Sequence, residues 1–451
     1  MPYTVPTGPA TTCAPAPLRR ELQNRLDALA EDHRVPGAQL VLDTGTETVS
    51  LHTGTADAGT GAPLTPDTAV PLGSLTKPYT AALVLLLADD GDLDPDEPVA
   101  EHLPELRGMP EVTVRHLLSH TGGLPTGPDS DTASATRGAR YLASLCTADQ
   151  ALFPPGTDFS YSNAGYVAAG RLVEAITGMP WHEAVRALLL DPLGTVPAFI
   201  GDTTVTRPTA VGHAVNTATG QVRTVRQNLA PLEAPAGALL AGAADLAAFG
   251  AALTGRSEAL PPAVAKEMRR GESAARPGTL ADGWGLGVAL YRQGGRVWCG
   301  HDGNAQGTSC HLRAEPESGV VVAFTGNAGG ATALWRDLAG ELERIAGIRV
   351  PAAPVTPADR GRPVALPDCL GTYRNGGTAY RVTAGPDGSP ALSVDGDLSL
   401  PLVCYADLSY DLLDPVTGRP EPGGRFHRDP VTGRVERVQV TGRTARRTDD
   451  G

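Results

Sequence analysis

The chain has 451 residues, a formal net charge of -13 and 41% hydrophobic residues. That length suits one large domain with a smaller one, and the acidic balance argues against a nucleic-acid partner. No apolar run reaches about 18 residues, so no transmembrane helix and no membrane partner are expected.

The segment from Met1 to Pro17 is rich in Pro and Thr, with neither a basic start nor an apolar core. It does not read as a signal peptide, and a cytoplasmic location is expected. The six cysteines (Cys13, Cys146, Cys299, Cys310, Cys369, Cys404) are scattered without CxxC spacing and read as free thiols. Neither a metal nor a cofactor is expected.

Leu18 to His33 places Leu22, Leu26 and Leu29 at helical spacing and stops at Val35-Pro36-Gly37. Ala38 to Leu42 and Thr48 to His52 are short β-type runs around Thr44-Gly45, a hairpin signal. Next comes Pro71-Leu72-Gly73-Ser74-Leu75-Thr76-Lys77, followed by an apolar run to Ala88. That run is apolar nearly all round, as a helix buried in a large core is. Gly73 ends the preceding segment and Ser74 opens the helix. Ser74 and Lys77, three apart, share a helical face.

A serine there lies where backbone N–H groups and the helix dipole favour developing negative charge. A desolvated lysine one turn on can lose its proton near neutral pH and act as a base. The alternative is an N-cap serine and a snorkelling lysine. Composition favours the chemical reading: among 37 Lys plus Arg, only Lys77 and Lys266 are lysines. Arginine cannot deprotonate, so a lysine in an apolar helix points to a titratable amine.

Val114 to Pro125 reads as a short helix running into a glycine loop. His116 and His120 stand at i, i+4, but without an acidic partner they read as structural histidines rather than a metal pair. Pro154 to Tyr166 is a loop entering a helix that runs to Ile176, with Ser162 or Asn163 as its cap. Tyr161 and Asn163, two apart on non-helical backbone, can face one cavity; a core tyrosine and a capping asparagine are the alternative. Ala234 to Leu253 reads as one helical segment.

Gly283 to Tyr291, Val297 to Gly300, Ser309 to Ala314 and Val320 to Thr325 are β-type runs at hairpin distances, closed by a helix from Ala333 to Ile345. Strands at both ends with helices between imply a discontinuous antiparallel sheet with an inserted helical region, an α/β (α+β) domain. Residues 1–16 read as a flexible tail, 17–349 as the catalytic domain, and 350–366 as a Pro-rich linker. Residues 367–451 read as a small all-β barrel module. Its alternating runs are Ala379 to Val382, Ala391 to Val394, Tyr410 to Leu413 and Val435 to Val440.

Three motifs stand in order: Ser74-x-x-Lys77, Tyr161-x-Asn163 and His301-Asp302-Gly303. With Arg115 to Gly123, Pro155-Gly156-Thr157, Ala234 to Gly237 and Gly283 to Gly287, they resemble the serine β-lactamase and penicillin-binding-protein superfamily, especially its class-C-like branch. The resemblance covers about residues 17 to 346. It implies a β-lactamase/transpeptidase-like domain with Ser74 as acyl-enzyme nucleophile and Lys77 as its base or proton relay. Tyr161 would exchange protons with the nucleophile and leaving group, and Asn163 would bond the substrate's amide carbonyl. His301 occupies the strand position where relatives carry lysine or histidine, with Gly303 beside it at the substrate. The backbone N–H groups of Ser74 and Asn304 would form the oxyanion hole.

Asp302 departs from that pattern. Relatives often carry a small or hydroxyl residue there that helps bind a substrate carboxylate. An acid facing the cleft would repel a free carboxylate and favour a masked C-terminus; alternatively Asp302 pairs with Arg313 or caps the His301-to-Gln306 turn.

A member without an export signal, followed by a lipocalin-like β module, is similar to the penicillin-binding-protein-type thioesterases. These take a nonribosomal peptidyl thioester from a carrier protein and release it as a macrolactam. That resemblance implies a peptidyl thioester substrate and a carrier-protein partner. Arg137 with Arg140, or Arg269 with Arg270, are the candidates for docking an acidic carrier, although solvated surface arginines are the favoured explanation of both pairs. The competing readings are an esterase, D-aminopeptidase, carboxypeptidase-like or β-lactamase-like hydrolase of the same fold, and a non-enzymatic binding protein.

Overall fold

Residues 12–13, 16–127, 137–216, 219–353, 360–385, 388–415 and 417–448 are described by the structure, a computed structural model. The expected tail therefore lies almost wholly outside the described residues, as does part of the expected linker.

The large unit is organised by an antiparallel sheet built from both ends of the catalytic region. Its main strands are β1 (Gly37–Asp43), β2 (Glu47–Asp57), β3 (Ala289–Gln293), β4 (Arg296–Ala305), β5 (Thr308–Ala314) and β6 (Val321–Gly326). They lie in the order β2-β1-β6-β5-β4-β3. β1 pairs with β6, so more than two hundred intervening residues form an excursion from one sheet, as the strand distribution predicts.

Both faces are covered. Leu40 and Leu42 of β1 and Val322 and Phe324 of β6 pack towards helices α1 (Ala16–Asp32) and α4 (Ala331–Ala346). Val41, Val321 and Ala323 turn the other way, into the core shared with the helical insertion. This is the two-residue period of a strand with two apolar faces to satisfy.

Within the insertion, α2 (Thr76–Asp89) is buried along almost its whole length, as an all-round apolar helix must be. It lies in one core with α3 (Asn163–Thr177). Ser162 is the cap of α3: its side chain accepts from Gly165 N at 3.0 Å.

Two expected continuous elements are broken. Ala234 to Leu253 becomes a turn of helix at Ala234–Gly237, a bridge strand at Leu240–Ala241 and a helix at Ala243–Leu253. Pairing of Leu240–Ala241 with Val70–Pro71 fixes the middle piece in extended form beside the Ser74 turn. Gly283 to Tyr291 is interrupted at Gly287, where φ is +85° and a Cβ would lie 2.2 Å from the Ala81 Cβ. The break lets α2 approach the sheet.

The C-terminal unit is a closed antiparallel barrel in chain order. Its strands are β7 (Gly371–Asn375), β8 (Thr378–Ala384), β9 (Pro390–Val394), β10 (Leu400–Cys404), β11 (Ser409–Leu413), β12 (Pro420–Arg428), β13 (Val435–Val440) and β14 (Arg443–Thr448). β7 closes onto β14. The sequence picks out β8, β9, β11 and β13; the other four carry too many Gly, Pro, Arg or isolated apolar positions to alternate cleanly.

The barrel grips the large unit at the segment before α3. Asp158 accepts from Arg437 at 2.7 Å and pairs with His427 at 3.2 Å. Thr444 donates its hydroxyl to Phe159 O at 2.8 Å, and Tyr161 N donates to Gly442 O at 2.9 Å.

Candidate active site

Ser74 lies in a 3-10 turn, Gly73–Leu75, immediately ahead of α2. The turn is pressed against β4. A Cβ on Gly73, whose φ is +53°, would lie 2.2 Å from Asn304 O, and one on Gly303 would lie 2.0 Å from Leu72 O. Glycine at both positions is what allows the contact.

Lys77 is 1% exposed. Its Nζ donates to Ser74 Oγ at 3.1 Å and to Ala236 O at 2.9 Å. Burial, reinforced by the Arg443 cation and opposed by Glu233, lowers its pKa from 10.5 to about 7. The amine can therefore be neutral at physiological pH, and so able to take the Ser74 proton.

Tyr161 and Asn163 flank the cap of α3. Asn163 N donates to Thr126 O at 3.1 Å, and Thr126 Oγ1 donates to Tyr161 O at 3.2 Å. Burial raises the Tyr161 phenol well above its usual range, while Ser74 and Arg443 oppose that shift. The phenol is thus a proton donor at neutral pH. Lys77 Nζ stands 5.0 Å from the Tyr161 ring centroid.

His301, on β4, lies 5.3 Å ring to ring from Trp284 and 6.1 Å from Tyr161. Its Nδ1 donates to Asp302 O, which leaves Nε2 as an acceptor. Burial first, then Lys77, lowers its pKa to about 3, so the ring stays neutral.

Ser74, Lys77 and Asn163 border a cleft of about 580 Å³ whose lining also includes Glu233, Asn304 and, from the barrel, Thr378. Tyr161 OH, Asn163 Oδ1 and His301 Nε2 are buried without a hydrogen-bond partner among the described residues. Unsatisfied buried polar atoms cost about 1–3 kcal/mol each, and three of them gathered near Ser74, with Asn163 lining the cleft itself, mark a region shaped for a polar substrate.

One expected substrate contact is corrected. Asp302 does not face the cleft: its Oδ1 accepts from Arg313 at 2.6 Å and His311 at 2.8 Å on β5. Side chains alternate along β4, so His301 and Asp302 cannot share a face. Burial would raise the Asp302 pKa, but Arg313 and His311 hold it well below the carboxylate range. The pairing with Arg313, the alternative the sequence left open, is the one found. Gly303 backs the Ser74 turn, as the Leu72 contact shows, which gives it a part in positioning beside the substrate contact expected of it.

The histidine pair is structural. His116 Nδ1 accepts from Thr113 N at 3.2 Å, and His120 Nδ1 accepts from Ser162 N at 3.1 Å. No group of three or more metal-binding side chains exists among the described residues. Of the candidate docking arginines, Arg270 pairs with Glu267 at 2.9 Å and Arg269 donates to Ala265 O at 2.9 Å. Arg137 borders a separate cavity of about 460 Å³.

Sequence reasoning missed Glu233, Asn375 and Arg443. Asn375 Oδ1 accepts from Thr126 N at 2.7 Å, and its Nδ2 donates to Thr444 O at 2.8 Å. Arg443 sits 5.4 Å from the Tyr161 ring centroid. Both come from the barrel, so only the docking of the two units reveals them.

A serine with a buried lysine one turn on, a tyrosine beside them and a histidine on the neighbouring strand define a serine hydrolase site of β-lactamase/penicillin-binding-protein type. The chain belongs to the beta-lactamase family, whose pattern matches residues 22–343. It is 34% identical to penicillin-binding protein 4 of Amycolatopsis lactamdurans over 374 residues, 79% of this chain and 98% of that one. Among solved structures it resembles SurE at 36% identity and TM-score 0.85, covering 96% of this chain and 99% of that one. SurE with D-Leu gives 35% and 0.83, over 96% and 100%. D-amino acid amidase of Ochrobactrum anthropi SV3 matches at 25% identity and TM-score 0.61, over 72% of this chain and 99% of that one. No helix among the described residues is long and apolar enough to cross a membrane.

Proposed function

We propose that the protein is a penicillin-binding-protein-type thioesterase that releases a nonribosomal peptidyl thioester by head-to-tail macrolactamisation. Neutral Lys77 takes the Ser74 proton as Oγ attacks the thioester carbonyl. The N–H groups of Ser74 and Asn304 hold the oxyanion, one such donor being worth about 3 kcal/mol of barrier. The C–S bond breaks and the thiol leaves with a proton passed through Lys77 and Tyr161. The peptide's own amine then attacks the Ser74 ester, gives up its proton by the same relay and frees the ring. Water in place of the amine yields the linear acid. Asn163 bonds the acyl residue's amide, and the neutral His301 ring borders the Tyr161 side of the site. The peptide arrives on a carrier protein.

The observation that carries this reading is the barrel's position. It contributes Thr378 to the cleft lining and seats Gly442 and Arg443 on the Tyr161 segment. Such a wall limits water at the acyl-enzyme and favours attack by a tethered amine. The SurE likeness spans the barrel as well as the catalytic unit, and SurE has been solved with a D-amino acid. A D-configured C-terminal residue is therefore the first substrate to try.

The test is incubation with a linear peptidyl thioester ending in a D-residue, with Ser74→Ala as control. Thiol release with a product one water lighter than the linear acid is expected, and only from the wild type. The absence of both cyclic and hydrolysed product would overturn the reading.

A second reading, a hydrolase of amides or esters, gains from Asp302. Because its carboxylate is held by Arg313 and His311, the objection to a substrate with a free carboxylate falls away. Turnover of p-nitrophenyl esters or D-amino acid amides, with no cyclisation of any thioester, selects it.

A further inference from the structure

The β13–β14 hairpin of the barrel is built into the site, and it carries a cation that the reaction outlined above does not use. Thr441 (φ +45°) and Gly442 (φ +76°) make its two-residue turn. The turn is wedged in place: Gly442 O accepts from Tyr161 N at 2.9 Å, and a Cβ on Gly442 would lie 2.3 Å from Leu280 Cδ1.

Arg443 follows, half-buried, with its guanidinium 5.4 Å from the Tyr161 ring centroid. No carboxylate pairs with it among the described residues, and Asp302 is already engaged by Arg313 and His311. A partly desolvated guanidinium on an anchored turn, without a carboxylate beside it, is suited to an oxygen acceptor from outside the protein.

The reaction geometry says which acceptor. Tyr161 stands on the side of Ser74 where the leaving atom must take up a proton. By microscopic reversibility an attacking amine enters on that same side. Arg443 lies against the Tyr161 ring and close enough to lower the Lys77 pKa, so a substituent on that atom that passes the Tyr161 ring comes within reach of the guanidinium. In a peptide or depsipeptide the substituent is a Cα bearing a carbonyl or carboxylate.

We propose that Arg443 is a substrate-recognising residue supplied by the barrel, binding the carbonyl or carboxylate oxygen on the residue whose nitrogen or oxygen is exchanged at Ser74. This rests on the acyl-transfer reading above and adds to it. The site selects the attacking partner, and the departing one where the substrate is an ester or amide rather than a thioester, as an α-amino or α-hydroxy acid unit, not as a bare amine or alcohol.

The experiment holds the acyl group constant and varies the leaving group: lactate, lactamide and isopropyl esters, each normalised to its rate of hydroxide hydrolysis. Wild-type kcat/KM is expected to favour lactate and lactamide over isopropyl by about 10- to 100-fold, the range of a hydrogen bond to a charged group. Arg443→Gln is expected to remove most of that preference, and Arg443→Lys to restore it for lactate more than for lactamide.

If Arg443 acts only by biasing the protonation of Lys77 or Tyr161, all three esters fall by one factor in Arg443→Gln and their ratios stay fixed. That result overturns the proposal. So does a wild type without preference, whichever variants fold. Failure of every ester to acylate Ser74, read by intact mass, strikes at the acyl-enzyme reading itself and is thereby distinguished from failure of the Arg443 assignment alone.

Discussion

Asp302 and Arg313 meet at 2.6 Å across neighbouring strands, with the Arg313 side chain fully buried and that of Asp302 36% exposed. The pair explains why an acid is tolerated one residue from His301: its charge is spent on the far face of the sheet. Asp302→Ala strands a buried guanidinium. A loss of about 2–4 kcal/mol is expected, below the top of the range for broken buried pairs because Asp302 is partly solvated. Thermal or denaturant unfolding checks it. The relative kcat/KM for neutral and carboxylate-bearing substrates is expected to stay constant, because the acid does not face the cleft.

Lys77 links stability to pH. Its folded pKa is lowered to about 7 from 10.5. Between those values the unfolded chain binds more protons than the folded one, so Lys77 makes stability rise with pH across the window, by at most about 1.4 kcal/mol per unit. In Lys77→Met that contribution is gone and activity is lost. The wild-type-minus-variant stability difference is expected to climb from pH 7 to pH 10 in denaturant titrations.

Gly303→Ala puts a methyl 2.0 Å from Leu72 O, a backbone atom that cannot swing aside. The Ser74 turn must separate from β4. Overpacking of this kind costs about 1–3 kcal/mol, and kcat is expected to fall at least tenfold while the protein still folds. Gly303→Ala with wild-type kcat would remove Gly303 from the positioning of Ser74.

Asn375→Ala cuts the bond from the barrel to Thr126 and one within the barrel to Thr444 O. Thr126 in turn holds the backbone of Asn163 and Tyr161. A fall in kcat of about tenfold is expected, with KM changed less, and partial recovery in Asn375→Asp, which keeps the acceptor for Thr126 N. Steady-state kinetics of the three proteins decide it.

Much of this was legible in the residues, and the failures have causes. The buried α2 follows from an unbroken apolar run. The discontinuous sheet follows from strands gathered at both ends of the catalytic region. Lys77 stands out because the chain otherwise writes arginine for positive charge. Asp302 could not be oriented from sequence, since strand register decides its face and only pairing with His311 and Arg313 fixes it. Asn375 and Arg443 carry no local signal. They sit in polar strands of a separate barrel, more than two hundred residues from Tyr161, and gain meaning only once that barrel is docked.

The account stands on Ser74 made reactive by a neutral Lys77. The direct measurement is the pH dependence of the acylation burst with an activated ester, followed by intact-mass spectrometry and peptide mapping. A single adduct on Ser74, forming faster as pH rises through about 7 and then levelling as Lys77 becomes fully neutral, is the expected result. An adduct on another residue, or an acylation rate that falls as pH rises through that range, would contradict it.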